Sequence, residues 1–246
     1  LYQHVTIPPA PLADPAFYDA LPEFLKTSEN RRRWELRFAT PEMYQHSVKS
    51  YYRLISGVDR VVGRIVKKLE EKGLRDNTIF LYTGDNGFYL GERGFAGKWY
   101  PHEVSIRVPL VVYDPRLAAE RRGTRRDEMV LSIDLAPTML AMAGAQIPET
   151  MQGRSVVPLV EGKSPDWRTE FFYEHLFRHA TIPTSEAVRT ERHKYIRFVD
   201  SQPLHEELYD LESDPDEAHN LAGKPEHAAT LDKMREKWAS WRQRAK

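Results

Sequence analysis

The longest regular pattern of hydrophobic positions lies in residues 47–74. In "SVKSYYRLISGVDRVVGRIVKKLEEKGL" apolar side chains recur every three or four residues, the spacing of one face of an α-helix. The stripe consists of Val48, Tyr51, Ile55, Val58, Val62, Ile65 and Leu69. Gly73 follows it, and glycine readily adopts the left-handed conformation that often ends a helix. The pattern therefore predicts one long amphipathic helix that ends near residue 73.

Continuous apolar runs alternate with helical patterns as far as about residue 145. Residues 78–83 (TIFLYT), 108–115 (VPLVVYDP) and 128–133 (EMVLSI) predict three strands. "DLAPTMLAMAGA" then predicts a helix, with Pro137 in its early turns and Gly144 near its end. A strand that is hydrophobic throughout is typical of a parallel sheet covered on both faces. This alternation predicts an α/β fold.

Short apolar runs separated by turns replace this pattern after about residue 150. The runs "EFFYEHLF", "EAVRTERHKYIRFV" and "EELYDL" predict a small antiparallel sheet. A final helix, with Pro225 near its start, carries an apolar stripe made of Leu231, Met234, Trp238 and Trp241. We therefore predict two domains, residues 1–150 and residues 151–246.

Composition limits the classes of function. The chain has 246 residues, of which 41% are hydrophobic, so it can bury a substantial core. Its 36 Lys and Arg against 36 Asp and Glu give no net charge, which argues against a general nucleic-acid binder. It contains no cysteine, which excludes disulfides, zinc–thiolate sites and a thiol nucleophile within these residues. No apolar run is as long as a membrane span.

The chain opens in the middle of a loop-like segment, "LYQHVTIPPAPLADP", with neither methionine nor a signal peptide. We therefore expect a part of the protein to precede Leu1. We also expect an exposed apolar sheet edge or face where the missing strands would lie, with aggregation or poor solubility as a consequence. The sequence does not indicate an oligomeric state.

Candidate chemistry follows the first predicted strand, which runs directly into Gly84-Asp85-Asn86-Gly87. In open α/β sheets, ligands bind beyond the carboxyl ends of the strands. A carboxylate and an amide carbonyl are hard oxygen donors that suit Ca²⁺ or Mg²⁺, although two ligands alone cannot hold such an ion. The glycine-punctuated loop "GFYLGERGFAG" can bring Lys98 back to an anionic substrate at this point. The alternative is an Asx-turn with a solvated lysine.

Other polar residues have weaker support. His175 and His179, in "FFYEHLFRHA", could reach a ligand from the small sheet or form only a polar edge. Glu103 and Arg107 flank the loop and are expected to brace it by an ion pair. "DLESDPDE" lacks the glycine of an EF-hand loop, which favours a turn over a calcium site.

Two longer segments resemble a known family. "LYTGDNGFYLGERGFAGKWYPHEVSIRVPLVVYDPR" is similar to the later half of type I sulfatases, which belong to the alkaline phosphatase-like superfamily. "EELYDLESDPDEAHNLAG" resembles the segment near the sulfatase C-terminus, and "RTERHKYIRF" between them is also similar. The resemblance begins near Tyr44 and is closest to bacterial N-acetylglucosamine-6-sulfatases and heparan- or mucin-desulfating enzymes. It implies the C-terminal part of an alkaline phosphatase-like α/β sandwich, with a small antiparallel sheet and a C-terminal helix.

The resemblance also implies roles for individual residues. Asp85 and Asn86 would be ligands of Ca²⁺, with Mg²⁺ less suited, and Lys98 would be the catalytic residue that holds the sulfate. His175 and Arg189, on the small sheet, would contact a sulfated sugar of glycosaminoglycan or mucin type. A periplasmic or secreted location is expected. The complete protein would be a sulfuric ester hydrolase, and these residues alone are expected to be inactive.

The nucleophile implied by the resemblance is a formylglycine made within a C/S-x-P-x-R motif. The nearest similar string, residues 201–205 (SQPLH), ends in histidine and follows the Asp-Asn pair, so we reject it and expect the motif before Leu1. Two alternatives stay open. One is a phosphate or phosphonate ester hydrolase of the same superfamily, and the other is a non-catalytic carbohydrate-binding remnant.

Overall fold

A computed structural model describes residues 1–163 and 165–245. The chain forms two compact units from segments that alternate along the sequence. Unit 1 contains residues 1–64, residues 86–108 and the chain from Phe171 onward, and unit 2 contains residues 65–85 and 109–170. The domain division near residue 150 stays a prediction.

The predicted long helix is present. Three short helices precede it, α1 (Pro15–Asp19), α2 (Glu23–Lys26) and α3 (Glu29–Glu35), and α4 itself spans Pro41–Glu71. Gly73 has a φ of 66°, the left-handed conformation expected at the end of a helix. Short 3₁₀ helices occur at Arg75–Asn77, Glu92–Gly94, Ala119–Arg121, Ser132–Asp134 and Pro225–His227.

The apolar stripe of α4 is covered at only one end. Val48 is buried with Ile7, Phe38 and Ala96 in one of the hydrophobic clusters of unit 1. Farther along, Ile55 keeps 50% of its surface exposed. This part of the helix stripe is therefore exposed, and the apolar sheet edge or face expected at the missing strands stays a prediction. Among the residues that the structure describes, no helix has the length and apolar character needed to span a membrane.

The predicted antiparallel sheet and terminal helix form the centre of unit 1. The sheet contains β5 (Glu170–His175), β6 (Ser185–Thr190), β7 (His193–Phe198) and β8 (His205–Asp210), in that order, and β7 is antiparallel to both β6 and β8. Helix α8 (Ala228–Arg244) packs its stripe against Val188, Tyr195 and Leu208. Because side chains alternate along a strand, Lys194, Ile196 and Phe198 lie on the opposite face of β7.

A small hairpin covers that opposite face. It consists of β2 (Tyr89–Leu90) and β3 (Ala96–Gly97), and the short helix α5 (Glu103–Ile106) follows it. Tyr89, Phe95 and Tyr100 are fully buried in one cluster with Ile196 and Phe198. This packing fixes the segment from residue 86 to residue 103 against the sheet.

In unit 2 the two paired strands run in opposite directions. β1 (Phe80–Thr83) pairs with β4 (Leu110–Tyr113), with Phe80 opposite Tyr113 and Thr83 opposite Leu110. The expectation of parallel strands is wrong for this pair, because a continuous apolar run predicts burial and carries no information about the direction of its partner. The predicted covering of both faces is also incomplete, since Val111 is 56% exposed.

Residues 128–133, all within the described chain, form no strand, so that prediction is wrong. The carbonyl oxygen of Met129 accepts hydrogen bonds from Trp167 Nε1 at 2.7 Å and Arg168 Nη1 at 3.0 Å. Side chains thus satisfy an acceptor that a neighbouring strand would otherwise use. The helix predicted after it is present as α6 (Leu135–Met142), with Gly144 at a φ of 69°, and α7 (Val157–Val160) follows.

A buried carboxylate organises this part of unit 2. Asp134 has no exposed surface and accepts main-chain hydrogen bonds from Leu131 at 2.8 Å and Arg154 at 2.7 Å. The Arg168 guanidinium donates to both of its oxygens, at 2.5 and 2.7 Å. Asp134 therefore joins three segments that are distant in sequence.

We expect Asp134→Ala to lower the free energy of unfolding by about 3–5 kcal/mol, because it leaves a buried guanidinium and two main-chain N–H groups without their acceptor. The matched control is Asp127→Ala, which removes a carboxylate that is 82% exposed and paired with an equally exposed Arg125. That change should cost less than about 1 kcal/mol. Urea unfolding of both variants measures the difference, and equal midpoints would contradict the role of Asp134.

Candidate functional site

Asn86 and Lys98 lie in direct contact. Lys98 Nζ donates a hydrogen bond to Asn86 Oδ1 at 2.6 Å, and Asn86 Nδ2 donates to the carbonyl oxygen of Gly87 at 2.7 Å. Because the amide nitrogen is engaged with the main chain, the amide oxygen is directed toward the ammonium group. Both side chains are only partly buried. An oxygen donor and a cation therefore share one partly accessible position.

Main-chain contacts with α5 fix the residues that follow Asn86. The N–H groups of Gly87 and Phe88 donate to the carbonyl oxygens of Ser105 and Val104, each at 2.8 Å. A Cβ on Gly87 would lie 2.1 Å from the carbonyl oxygen of Val104. Glycine is required here because the two main chains approach too closely for any side chain.

Lys98 is held through its neighbour Trp99. The Arg33 guanidinium of α3 lies 4.5 Å from the centroid of the indole ring, a cation–π distance. The carbonyl oxygen of Trp99 accepts a hydrogen bond from the Tyr173 hydroxyl of β5 at 3.0 Å. Helix α3 and strand β5 thus position the main chain next to Lys98.

His175 lies two residues beyond Tyr173 and therefore on the same face of β5. Its Nδ1 is buried and has no hydrogen-bond partner in the described part of the chain. Burial lowers the pKa of His175, and the nearby positive charge of Lys98 lowers it further. His175 is consequently neutral at neutral pH, and it lies close enough to Lys98 for the ammonium charge to affect its pKa.

Asp85, the residue before Asn86, is exposed. Its carboxylate and the Asn86 amide are the oxygen donors that Ca²⁺ prefers, so the donor chemistry fits a calcium ion. Among the described residues, no group of three or more His, Cys, Asp or Glu side chains could hold a metal. Since calcium takes six to eight oxygen ligands, Asp85 and Asn86 would provide only part of a coordination shell.

Glu103 does brace the loop, but Arg107 is not the partner that forms its ion pair. Glu103 Oε1 lies 2.7 Å from Lys194 Nζ and 3.6 Å from Arg189 Nε. Burial opposes ionisation of Glu103, yet the charges of Lys194, Arg189 and Arg107 outweigh it and hold its pKa below the usual value. Arg189 is thus engaged in an ion pair, and its contact with a sugar stays a prediction.

Glu217 is a further residue that the sequence analysis did not single out. It is 1% exposed and has a φ of 58°, which is rare for a residue with a side chain. Its carboxylate accepts a hydrogen bond from the main-chain N–H of Glu103 at 2.7 Å and lies 2.8 Å from Lys194 Nζ. Its carbonyl oxygen accepts a hydrogen bond from Arg93, in the turn of the β2–β3 hairpin.

A histidine near the site is structural. His102 is buried, with Nδ1 2.6 Å from the Tyr89 hydroxyl and Nε2 3.0 Å from Glu207 Oε2. Burial opposes ionisation of Glu207, but His102 and His205 outweigh it and hold the pKa of that carboxyl well below its usual range.

The sequence contains one signal that could have identified the buried charge of Lys194. In "HKYIRF", Lys194 has the same strand parity as Ile196 and Phe198 and therefore points inward with them.

Two family models match the chain. The model described as Sulfatase matches residues 8–145, and the model described as N-sulphoglucosamine sulphohydrolase, C-terminal, matches residues 91–244. The first contains Asp85, Asn86 and Lys98, and the second contains Lys98 and the whole antiparallel sheet.

Curated relatives agree with these matches. An N-acetylglucosamine-6-O-sulfatase of Bacteroides thetaiotaomicron is 36% identical over 192 residues, which cover 75% of this chain and 34% of the relative. An arylsulfatase of Clostridium perfringens is 32% identical over 245 residues, which cover 93% of this chain and 50% of the relative. The chain thus spans about a third to a half of the length of these relatives.

A solved structure supports the same assignment. It is described as a complex with its substrate D-glucosamine-2-N,6-O-disulfate, and it matches with a TM-score of 0.75 and 30% identity over 86% of this chain and 44% of that one. The helices, the antiparallel sheet and the terminal helix therefore form part of an alkaline phosphatase-like fold. Two family models, sequence relatives and a solved structure agree, and the chain belongs to the sulfatase family.

Proposed function

We propose that this chain provides the metal-binding and sulfate-binding side of the active site of a sulfuric ester hydrolase. The observation that carries the proposal is the contact of Lys98 Nζ with Asn86 Oδ1 at 2.6 Å, in a chain that belongs to the sulfatase family. The nucleophile is not supplied by a C/S-x-P-x-R motif in these 246 residues. We propose that a formylglycine in another part of the protein takes that role.

The chemistry of a sulfate ester explains why a cation is needed. The ester carries a negative charge that repels an incoming nucleophile, and further charge develops on oxygen in the transition state. Lys98 presents a compact point charge that can bind a sulfate oxygen and stabilise this charge. Its neighbour His175 is neutral, so it adds no second positive charge and can donate or accept a hydrogen bond.

The metal proposed for this site is Ca²⁺, held in part by Asp85 and Asn86. When bound, such an ion supplies positive charge that polarises the sulfate group. Ca²⁺ suits the two donors better than Mg²⁺, because it tolerates flexible oxygen coordination and needs no near-ideal octahedron. The contact between Lys98 and Asn86 keeps the sulfate-binding cation next to the metal-binding amide.

The substrate proposed is a sulfated sugar of glycosaminoglycan or mucin type. One relative is an N-acetylglucosamine-6-O-sulfatase, and one related structure holds D-glucosamine-2-N,6-O-disulfate as its substrate. In this chain, the rings of His175, Phe177 and His179 form a row with centroids 6.3 and 6.0 Å apart, and Phe177 is 58% exposed. Such an aromatic row can contact the ring of a sugar while its sulfate reaches Lys98. A periplasmic or secreted location is proposed from the family resemblance.

In the complete protein, variants of the three site residues should separate metal binding from catalysis. Asp85→Ala should weaken calcium binding most, because it removes a charged ligand, and added Ca²⁺ should partly restore activity. Asn86→Ala should weaken binding less, since the lost ligand is neutral. Lys98→Ala should leave calcium binding nearly intact and lower kcat/KM for an aryl sulfate by roughly two to four orders of magnitude.

Calorimetry with Ca²⁺ and kinetics with aryl sulfate, phosphate and phosphonate monoesters measure these effects. Calcium affinity that is unchanged in Asp85→Ala would remove the metal assignment. A wild-type preference for the phosphate or phosphonate ester would favour the other hydrolase. Sugar binding without turnover of any ester would favour a non-catalytic module.

His175→Ala should raise KM for a sulfated glucosamine and leave the kinetics of a small aryl sulfate almost unchanged, because only the first substrate has the sugar that His175 is proposed to contact. The same comparison with Arg189→Ala tests the second predicted sugar contact. Equal losses on both substrates would assign the residue to folding or chemistry instead of sugar recognition.

The electrostatic effect of Lys98 on the pKa of His175 can be tested by titration. Removing the ammonium in Lys98→Met makes protonation of the imidazole easier, so the pKa of His175 should rise. It should stay below the usual value, because burial is the larger cause of the shift. NMR titration of the imidazole measures this change, and an identical pKa in both proteins would show that the two groups are not coupled.

A further inference from the structure

A fully buried lysine joins two carboxylates beside the candidate site. Lys194 has no exposed surface, and its Nζ lies 2.7 Å from Glu103 Oε1 and 2.8 Å from Glu217 Oε1. Arg189 completes the group through its contact with Glu103. Two carboxylates and two cations balance in charge. This balance offsets the cost of burying Lys194 and Glu217, while Glu103 and Arg189 stay partly exposed.

The same cluster controls where α5 begins. Glu103 is the first residue of α5, and its main-chain N–H donates to Glu217 Oε2 at 2.7 Å. Glu217 therefore accepts from an N–H at the helix start, and Lys194 holds the Glu103 side chain. Both contacts connect α5 to residues that are distant in sequence. Glu103 and Glu217, for example, are 114 positions apart.

Helix α5 in turn fixes both candidate site residues. On one side, its carbonyl oxygens accept the N–H groups of Gly87 and Phe88, which follow Asn86 directly. On the other side, Lys98 precedes Glu103 by five residues, and the intervening Tyr100 and His102 are buried. The turn of the hairpin between these two ends is tied to Glu217 as well, through Arg93.

We propose that Glu217 and Lys194 are positioning residues for the reaction: through Glu103 and α5 they hold Asn86 and Lys98 in contact. This inference rests on the proposed function, because it concerns the same site. It also gives a role to the glutamate of the "SDPDEAHNL" segment. This residue, Glu217, contacts Glu103, Lys194 and Arg93. Neither Glu217 nor Lys194 is proposed to touch the substrate. They act through the loop that carries Asn86 and Lys98.

The test uses the complete protein and three variants. Glu217→Gln keeps the side-chain volume and an acceptor oxygen but removes the charge, and Lys194→Met removes the buried ammonium. The control is Arg192→Met, in the turn between β6 and β7, whose guanidinium is 58% exposed and pairs with Asp210. Amide hydrogen exchange is followed in residues 86–98 and in α8, and kcat and KM are measured on an aryl sulfate per folded molecule.

We expect exchange in residues 86–98 to rise about tenfold in Glu217→Gln and Lys194→Met while exchange in α8 stays constant, because the loop loses its tether and the global fold is retained. We expect kcat to fall at least about tenfold with a smaller change in KM, since a displaced Lys98 loses contacts in the transition state. The control should match the wild type in both measurements.

Three results would decide against the proposal. Loop exchange and kcat within twofold of the control variant would overturn it, and so would exchange that rises equally in α8, which signals general destabilisation. Normal kcat per folded molecule with a mobile loop would show that the cluster does not position the site. If Lys194→Met does not fold, Glu217→Gln decides alone. A wild-type protein without sulfatase activity would refute the proposed function, while the exchange measurement would still test the coupling.

Discussion

A lysine with no exposed surface, held between Glu103 and Glu217, is the constraint on which the arrangement of unit 1 depends. An unpaired buried charge costs several kcal/mol, so the lysine can be buried only if both carboxylates are in place. Those carboxylates come from α5 and from the turn after β8. Strand β7, helix α5 and that turn must therefore assemble together.

Hydrophobic packing and polar contacts have different roles in this assembly. The cluster of Tyr89, Phe95 and Tyr100 against the sheet brings the hairpin to the correct face, but such packing is not directional. Hydrogen bonds and ion pairs depend on distance and angle, so they set the register of the hairpin and of α5. The site residues lie where the polar contacts converge, between α5 and the end of the hairpin.

Charges around this site are set by local contacts and not by the overall charge of the chain. The whole chain has equal numbers of acidic and basic residues, so it creates no long-range attraction for an anionic sugar. Glu103 lies next to both Lys194 and Arg189, and Lys98 donates a hydrogen bond to the Asn86 amide oxygen. Burial lowers the pKa of the nearby His175, and the charge of Lys98 lowers it further.

The sequence by itself determined the elements that depend on local periodicity. These are helix α4 with its end at Gly73, the small antiparallel sheet, helix α8, and the positions of Asp85, Asn86 and Lys98 within recognisable sulfatase segments. Tertiary structure alone decided the antiparallel pairing of β1 with β4, the loss of the strand at 128–133, and the partners of Glu103. These features depend on contacts between residues far apart in the chain, such as Glu103 with Glu217 at a separation of 114 positions. Periodicity reports which face of an element is buried, and it cannot report which distant group lies against that face.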